Sequence, residues 1–183
     1  MKKRHLVKTV RGYIDHLQEN LDAGHGLWFM GNPGTGKTTL AMLVAKEAVA
    51  KGKSVAVYFT PQLLTRIRVT YQATEAEDTY DAFFKRLTSV DLLYIDDLGS
   101  QRQTDWVVEQ LYAIVNERYE RRQPLLVTSN APEAKSAEKS VDLGHQLLAE
   151  QIGARTVSRL DEMCGGPIPV FGTDRRASPT LSA

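Results

Sequence analysis

Gly31-Asn32-Pro33-Gly34-Thr35-Gly36-Lys37-Thr38 is the stretch whose reading decides the fold. It matches G-x-x-x-x-G-K-[ST], and each fixed position has its own physical task. Glycine at 31, 34 and 36 permits backbone angles and close approaches that a Cβ blocks. The N–H groups of such a loop turn inward as an anion nest. Lys37 sets a charge against β- and γ-phosphates, and the Thr38 hydroxyl can ligate Mg²⁺. The flanks agree. Leu27-Trp28-Phe29-Met30 reads as a short buried strand, and Leu40 to Ala48 as a helix whose N-terminal dipole favours phosphate. The bland alternative is a glycine-rich turn that matches by chance, and the strand and helix count against it.

Outward from the loop, short apolar strands alternate with helices. Val10, Ile14, Leu17 and Leu21 have helical spacing before the first strand. Val55 to Phe59 reads as a second strand, Leu92 to Ile95 as a third, and Leu125 to Thr128 as a fourth. Helical stretches are expected from Thr60-Pro61 through Ile67, over Ala82 to Leu87, and from Thr104-Asp105 to Tyr119. Arg118, Arg121 and Arg122 then complement the dipole at that last helix's end. Ala131 to Val141 reads as a loop with at most one helical turn, Leu143 to Glu162 as one helix weakened by Gly144 and Gly153, and Ile168 to Phe171 as a last strand. Thr173 to Ala183 reads as a tail. Strands alternating with helices imply βαβ units and a parallel sheet, with ligand at the strands' C-terminal ends.

Composition narrows the class. The 183 residues suffice for one domain with a substantial core. Net charge is +1, so contact with nucleic acid has to come from local patches. Cys164 is the only cysteine, so no disulfide forms within the chain. No apolar run has the length of a membrane span and no signal peptide is evident, so a cytoplasmic location without a membrane partner is expected. The four histidines lack metal-ligand spacing.

Leu92-Leu93-Tyr94-Ile95-Asp96-Asp97 delivers two carboxylates to a strand end. With a phosphate loop upstream, the first acid holds Mg²⁺ and the second orients the attacking water. Taken alone, the pair could as well cap the turn at Leu98-Gly99. Asn130, closing Thr128-Ser129-Asn130, can bond a γ-phosphate or the water, or simply sit in a strand-end turn. Arg155 and Arg159 share a helical face; they are either solvated or able to reach a neighbouring subunit's γ-phosphate. Arg66, Arg68, Lys85 and Arg86 can line a single-strand phosphate path, with Tyr71 stacking on a base, or be solvated surface.

Together, Gly31–Thr39, Leu92–Gly99, Leu125–Asn130 and Ala154–Leu160 resemble the AAA+ family. The stretch from Leu93 to Gly99, then Trp106, then Leu111 to Tyr119, Pro124 and Thr128-Ser129-Asn130, is similar to DnaC/DnaI-type replicative helicase loaders and IstB transposition helper ATPases. The resemblance spans roughly residues 10–176. It implies an α/β P-loop NTPase of ASCE type, a three-layer sandwich around a five-stranded parallel sheet of order 5-1-4-3-2. It implies ATP with Mg²⁺, with nucleotide held by Gly31, Asn32, Pro33, Gly34, Thr35, Gly36, Lys37, Thr38 and Thr39. It implies Thr38 and Asp96 on the metal, Asp97 in the place of the usual catalytic Glu, and Asn130 at sensor 1. Arg159 falls at the arginine finger with Arg155 supporting it, and Arg175 or Arg176 at the second sensor. It favours single-stranded DNA contacts at Arg66, Arg68 and Lys85. Head-to-tail self-assembly is implied, with turnover weak in a monomer.

The expected chain is a single AAA+ domain over 1–183, with its core at about 10–172 and a tail at 173–183. Helicase loaders carry a separate N-terminal domain that grips the helicase, and too few residues precede the first expected helix here to make one. The expectation is either an isolated or truncated ATPase core or a chain that recruits its partner differently. The expected function is an ATPase that loads or remodels a replicative helicase on single-stranded DNA. An IstB-like helper of a transposase is the first alternative, and a nucleotide-dependent scaffold with little turnover the second. A small-molecule kinase would need an arginine-rich lid, for which Arg155–Arg159 is the only candidate.

Overall fold

The computed structural model describes residues 3–73, 75, 79–132 and 134–174. Five strands make one sheet: β1 (Leu27–Gly31), β2 (Val55–Phe59), β3 (Leu92–Leu98), β4 (Leu125–Asn130) and β5 (Pro167–Pro169). Their spatial order is β2-β3-β4-β1-β5, the expected 5-1-4-3-2 read from the other edge, and every pairing is parallel. β5 holds prolines at both ends. Proline has no N–H to donate, so such a strand belongs on an edge. It starts one residue earlier than expected, and Val170 N–H carries the ladder on to the Met30 carbonyl (2.7 Å).

Side chains alternate across each strand, so successive core residues go to opposite faces. Leu27 and Phe29 meet α1 (Lys3–Asp15), α2 (Leu17–Asp22) and α3 (Lys37–Ala50) on one face. Trp28 and Met30 meet the other five helices on the opposite face. These are α4 (Thr60–Thr70), α5 (Tyr80–Ser89), α6 (Asp105–Glu120), α7 (Ala137–Ile152) and α8 (Ala154–Cys164). Every residue of β1 is buried, because the strand lies between neighbours and under helices on both faces.

Three elements differ from the reading by periodicity. The first helix begins at Lys3 and breaks at His16, where φ −107° and ψ 32° leave the helical region. The Asn20 side chain takes up the Tyr13 carbonyl there, and Leu17 and Leu21 stay on the buried face. Second, the expected loop ends early. Ser136 accepts from Lys139 N–H, so α7 starts at Ala137. Third, the single helix expected from Leu143 is two, α7 and α8, parted by Gly153 at φ 90°. Gly144 lies inside α7 for a packing reason. A Cβ there would stand 2.9 Å from both the Ala131 Cβ and the Met30 Sδ, so glycine lets α7 settle onto the strand ends.

Arg118 also departs from its expected role at a helix end. It is fully buried and donates to the carbonyls of Leu87 (2.9 Å), Val90 (3.0 Å) and Pro124 (2.8 Å). These carbonyls belong to the end of α5, the approach to β3 and the approach to β4. Burial pulls its pKa down to about 10, and the group stays charged at neutral pH. Replacing it with Met would strand three carbonyls, each costing about 1–3 kcal/mol if left unsatisfied. Arg118→Met is therefore expected to lower unfolding free energy by at least about 3 kcal/mol in chemical denaturation. Arg118→Lys should restore little of it, because an ammonium lacks the planar fork.

Candidate functional site

β1 ends at Gly31 and α3 begins at Lys37, so the glycine loop joins the middle of the sheet to a helix N-terminus. Gly34 at φ 74° and Gly36 at φ 99° lie in the left-handed region that side chains disfavour. The Thr35 hydroxyl donates to the Asn32 carbonyl (2.9 Å) and braces the turn. Lys37 is only 7% exposed. Its ammonium donates to the carbonyls of Gly31 and Asn32 (2.8 Å each) and to Asn130 Oδ1 (2.9 Å). A hollow of about 300 Å³ opens over Gly34, Gly36, Lys37 and Thr38. Pro33, Thr38 and Thr39 face solvent beside it.

β3 runs past its expected end and carries the acid pair within the strand. The β3–β4 register shifts between Ile95 and Leu98, and Asp97 takes φ 57°. Regular alternation would send adjacent carboxylates to opposite faces. The bulge removes that constraint. Asp96 Oδ1 accepts from the hydroxyls of Thr38 (3.1 Å), Thr128 (2.6 Å) and Tyr94. Asp97 Oδ1 accepts from Asn130 Nδ2 (2.6 Å), and Asp97 N–H donates to Thr128 Oγ1 (2.8 Å). Burial, and then the bond to Asp96, push the Tyr94 phenol well above its ordinary pKa, so it stays a donor. Lys37, Thr38, Asp96, Asp97 and Asn130 are thus one hydrogen-bonded cluster. Asp96 and Thr38 offer a carboxylate and a hydroxyl at close range, a hard oxygen set that suits Mg²⁺.

Two further hollows flank the loop. One of about 590 Å³ lies toward α7, between Asn32, Asn130, Gly99 and Gln151. The other, of about 210 Å³, is mostly apolar and is walled by Leu6, Val7, Leu40, Val170 and Phe171. Leu6 and Val7 escaped the sequence reading because α1 starts ahead of its expected boundary. Asp174 escaped it too. Its carboxylate lies against the loop, at the place a Gly34 Cβ would take. Thr128 was quoted only as part of a motif; a hydroxyl two residues before Asn130 on the same strand was the available signal.

Other expected residues are less gathered. Arg155 is exposed in the first turn of α8. Arg159 lays its guanidinium over Tyr112 (5.0 Å) and Tyr119 (5.4 Å), both on α6, and reaches the Arg155 carbonyl (3.5 Å). Arg68 sits over Trp106 (4.7 Å), and Tyr71 meets the same ring while stacking on Tyr80. Arg66, Lys85 and Arg86 are exposed on α4 and α5. Arg175 and Arg176 lie outside the described residues. No helix among the described residues is long and apolar enough to cross a membrane.

Sheet order, glycine loop and acid pair together define a P-loop architecture of the AAA+ kind. The family model for IstB-like ATP binding proteins matches residues 11–161. The chain belongs to that family. Among curated proteins it is 26% identical to the replicative helicase loader DnaC of Buchnera aphidicola subsp. Schizaphis graminum, over 86% of this chain and 58% of that protein. It is 28% identical to DnaC of Escherichia coli K12, over 69% of this chain and 51% of that protein. It therefore spans a little over half the length of these relatives. A crystal structure of the DnaC helicase loader superposes with a TM-score of 0.77 at 28% identity, covering 92% of this chain and 90% of that one. A DnaI structure shares the fold, with a TM-score of 0.71.

The loop's tight fit gives a direct test. Gly34→Ala would force a Cβ into a left-handed residue and into the Asp174 carboxylate, 1.8 Å away. Affinity for a fluorescent ATP analogue is expected to fall at least about tenfold, since strain at such a position costs on the order of 1–3 kcal/mol.

Proposed function

We propose that the chain binds and hydrolyses Mg-ATP and acts as the ATPase unit of a helicase loader working on single-stranded DNA. The observation that carries this reading is the convergence of Lys37, Asn130 and the acid pair on one cluster at the sheet's C-terminal edge. Lys37 exchanges its neutral carbonyl acceptors for β- and γ-phosphate oxygens, which bind an ammonium more strongly. Gly31 to Thr39 supply the loop around the phosphates, and the apolar hollow by Leu6 and Val170 takes the base. Thr38 and Asp96 hold the Mg²⁺, which offsets charge on the phosphates. Asp97 accepts the proton side of the attacking water, and Asn130 holds that carboxylate in place while bonding the γ-phosphate.

Arg159 completes a neighbouring copy's site, with Arg155 supporting it. In a single chain its guanidinium rests on Tyr112 and Tyr119, and the chain's own site has no neighbour's arginine, so turnover stays slow until copies assemble. An arginine supplied this way is worth about 10³–10⁵ in rate. The contacts with single-stranded DNA fall on Arg66, Arg68 and Lys85, with the exposed Tyr71 beside them to stack on a base. The likeness to replicative helicase loaders supports a replicative helicase as the protein partner. The family match to IstB-like proteins favours a second reading, in which the partner is a transposase.

Lys37→Ala is expected to abolish ATP binding, measured by isothermal titration. Asp97→Asn should keep binding and lose turnover by at least about a hundredfold. Normal hydrolysis by Asp97→Asn would remove the water-orienting role. Turnover should rise with protein concentration and with single-stranded DNA. Capture with ATP or a slow-hydrolysing analogue, followed by identification of a replicative helicase or a transposase, separates the two partners.

A further inference from the structure

Strand β4 begins with three apolar residues, Leu125, Leu126 and Val127, and then carries two buried hydroxyls, Thr128 and Ser129. A buried hydroxyl needs partners, or it costs stability. Ser129 Oγ accepts from Trp28 Nε1 (2.8 Å), which ties β4 to β1. Thr128 is 1% exposed and has a different pair of partners. It accepts from Asp97 N–H and donates its single proton to Asp96 Oδ1. The direction is unambiguous, because an amide can only donate. Thr128 thus bonds to both acidic residues at once.

We infer that Thr128 is the positioning residue of the acid pair, one hydroxyl that fixes Asp96 and Asp97 relative to each other and so sets how the chain takes up Mg²⁺. The inference rests on the nucleotide-site reading above. Asp97 is held at φ 57°, an uncommon angle for a residue with a side chain. Its N–H bond to Thr128 supports that angle where the β3–β4 register is broken. Thr128 and Tyr94 both donate to Oδ1 of Asp96, and the Thr38 hydroxyl lies 3.1 Å from that oxygen and 3.4 Å from Oδ2, so the two donors behind the carboxylate fix its rotation beside Thr38. Partners behind a metal-binding carboxylate typically matter by 10–100-fold in metal affinity.

Thr128→Val keeps the shape and β-branching and removes the hydroxyl. Thr128→Ser keeps the hydroxyl, and Tyr94→Phe removes only the second donor. Affinity for a fluorescent ATP analogue would be measured in EDTA and across a magnesium titration, alongside thermal melting and turnover. Binding in EDTA should match wild type in all three variants. Thr128→Val should need at least about tenfold more magnesium for tight binding, and Thr128→Ser should stay within about threefold of wild type. Tyr94→Phe should shift in the same direction as Thr128→Val, and it carries the test if Thr128→Val does not fold. Unchanged magnesium requirement in Thr128→Val and Tyr94→Phe, with a wild-type chain that responds to magnesium, overturns the clamp alone. A wild-type chain that binds no nucleotide, or ignores magnesium, overturns the nucleotide-site reading and the clamp together.

Discussion

Two neighbouring carboxylates can serve one site only if the strand stops alternating between them. That is the constraint on which the arrangement at the sheet's edge depends. β3 meets it with a register shift against β4 and a left-handed Asp97. Aspartate tolerates that angle better than most side chains, and position 97 is where the angle falls. The distortion has a cost of order 1–3 kcal/mol. It persists because the neighbouring strand holds both acids: Thr128 from the middle of β4 and Asn130 from its end.

The rest of the fold keeps that edge still. β1 and β4 are buried almost throughout and pair in parallel from Leu27↔Leu126 to Gly31↔Asn130, so the glycine loop and Asn130 leave the sheet side by side. α3 lies close to the sheet through Ala41, Ala45 and Ala48, whose small side chains let the helix approach and aim its N-terminus at the loop. At the other end of the strands Arg118 gathers three carbonyls that would otherwise be buried and unpaired. One interaction shapes the chemistry at the C-terminal edge, and the other closes the connections at the N-terminal edge.

The parallel sheet and the cluster members were legible in the sequence because each carries a local mark, while the strand order came only with the resemblance to the AAA+ family. Strands show as short apolar runs, the loop as spaced glycines before Lys37, and the acids as a pair after Ile95. What escaped depends on contacts between distant segments. Gly144 looked like a weak point in a helix, yet it is the residue that lets α7 meet Ala131 and Met30. Arg118 looked like one of three arginines complementing a dipole, and only the fold reveals the three carbonyls around it. Leu6 and Val7 became part of a hollow because the chain from Val170 to Phe171 returns beside them. The aromatic seat of Arg159 on α6 is equally long-range, since Tyr112 and Tyr119 lie on a different helix.

The hydrogen bonds of the site close on themselves. Lys37 bonds Asn130, Asn130 bonds Asp97, Asp97 bonds Thr128, Thr128 bonds Asp96, and Asp96 bonds Thr38, the residue after Lys37. Hydrogen bonds joined in this way polarise one another, and removing one member weakens those beside it. The ring is made wholly from the chain's own groups. A ligand that draws on Lys37 and Thr38 acts at the two places where the ring meets the loop. Pulling Lys37 outward frees the oxygen of Asn130 while leaving its nitrogen on Asp97. Turning the Thr38 hydroxyl takes a donor from Asp96 and leaves Thr128 and Tyr94 behind it. Both changes leave the acid pair standing on β4, so the protein's part of the site can exchange its internal partners for charged ones without rebuilding the strand ends that hold it.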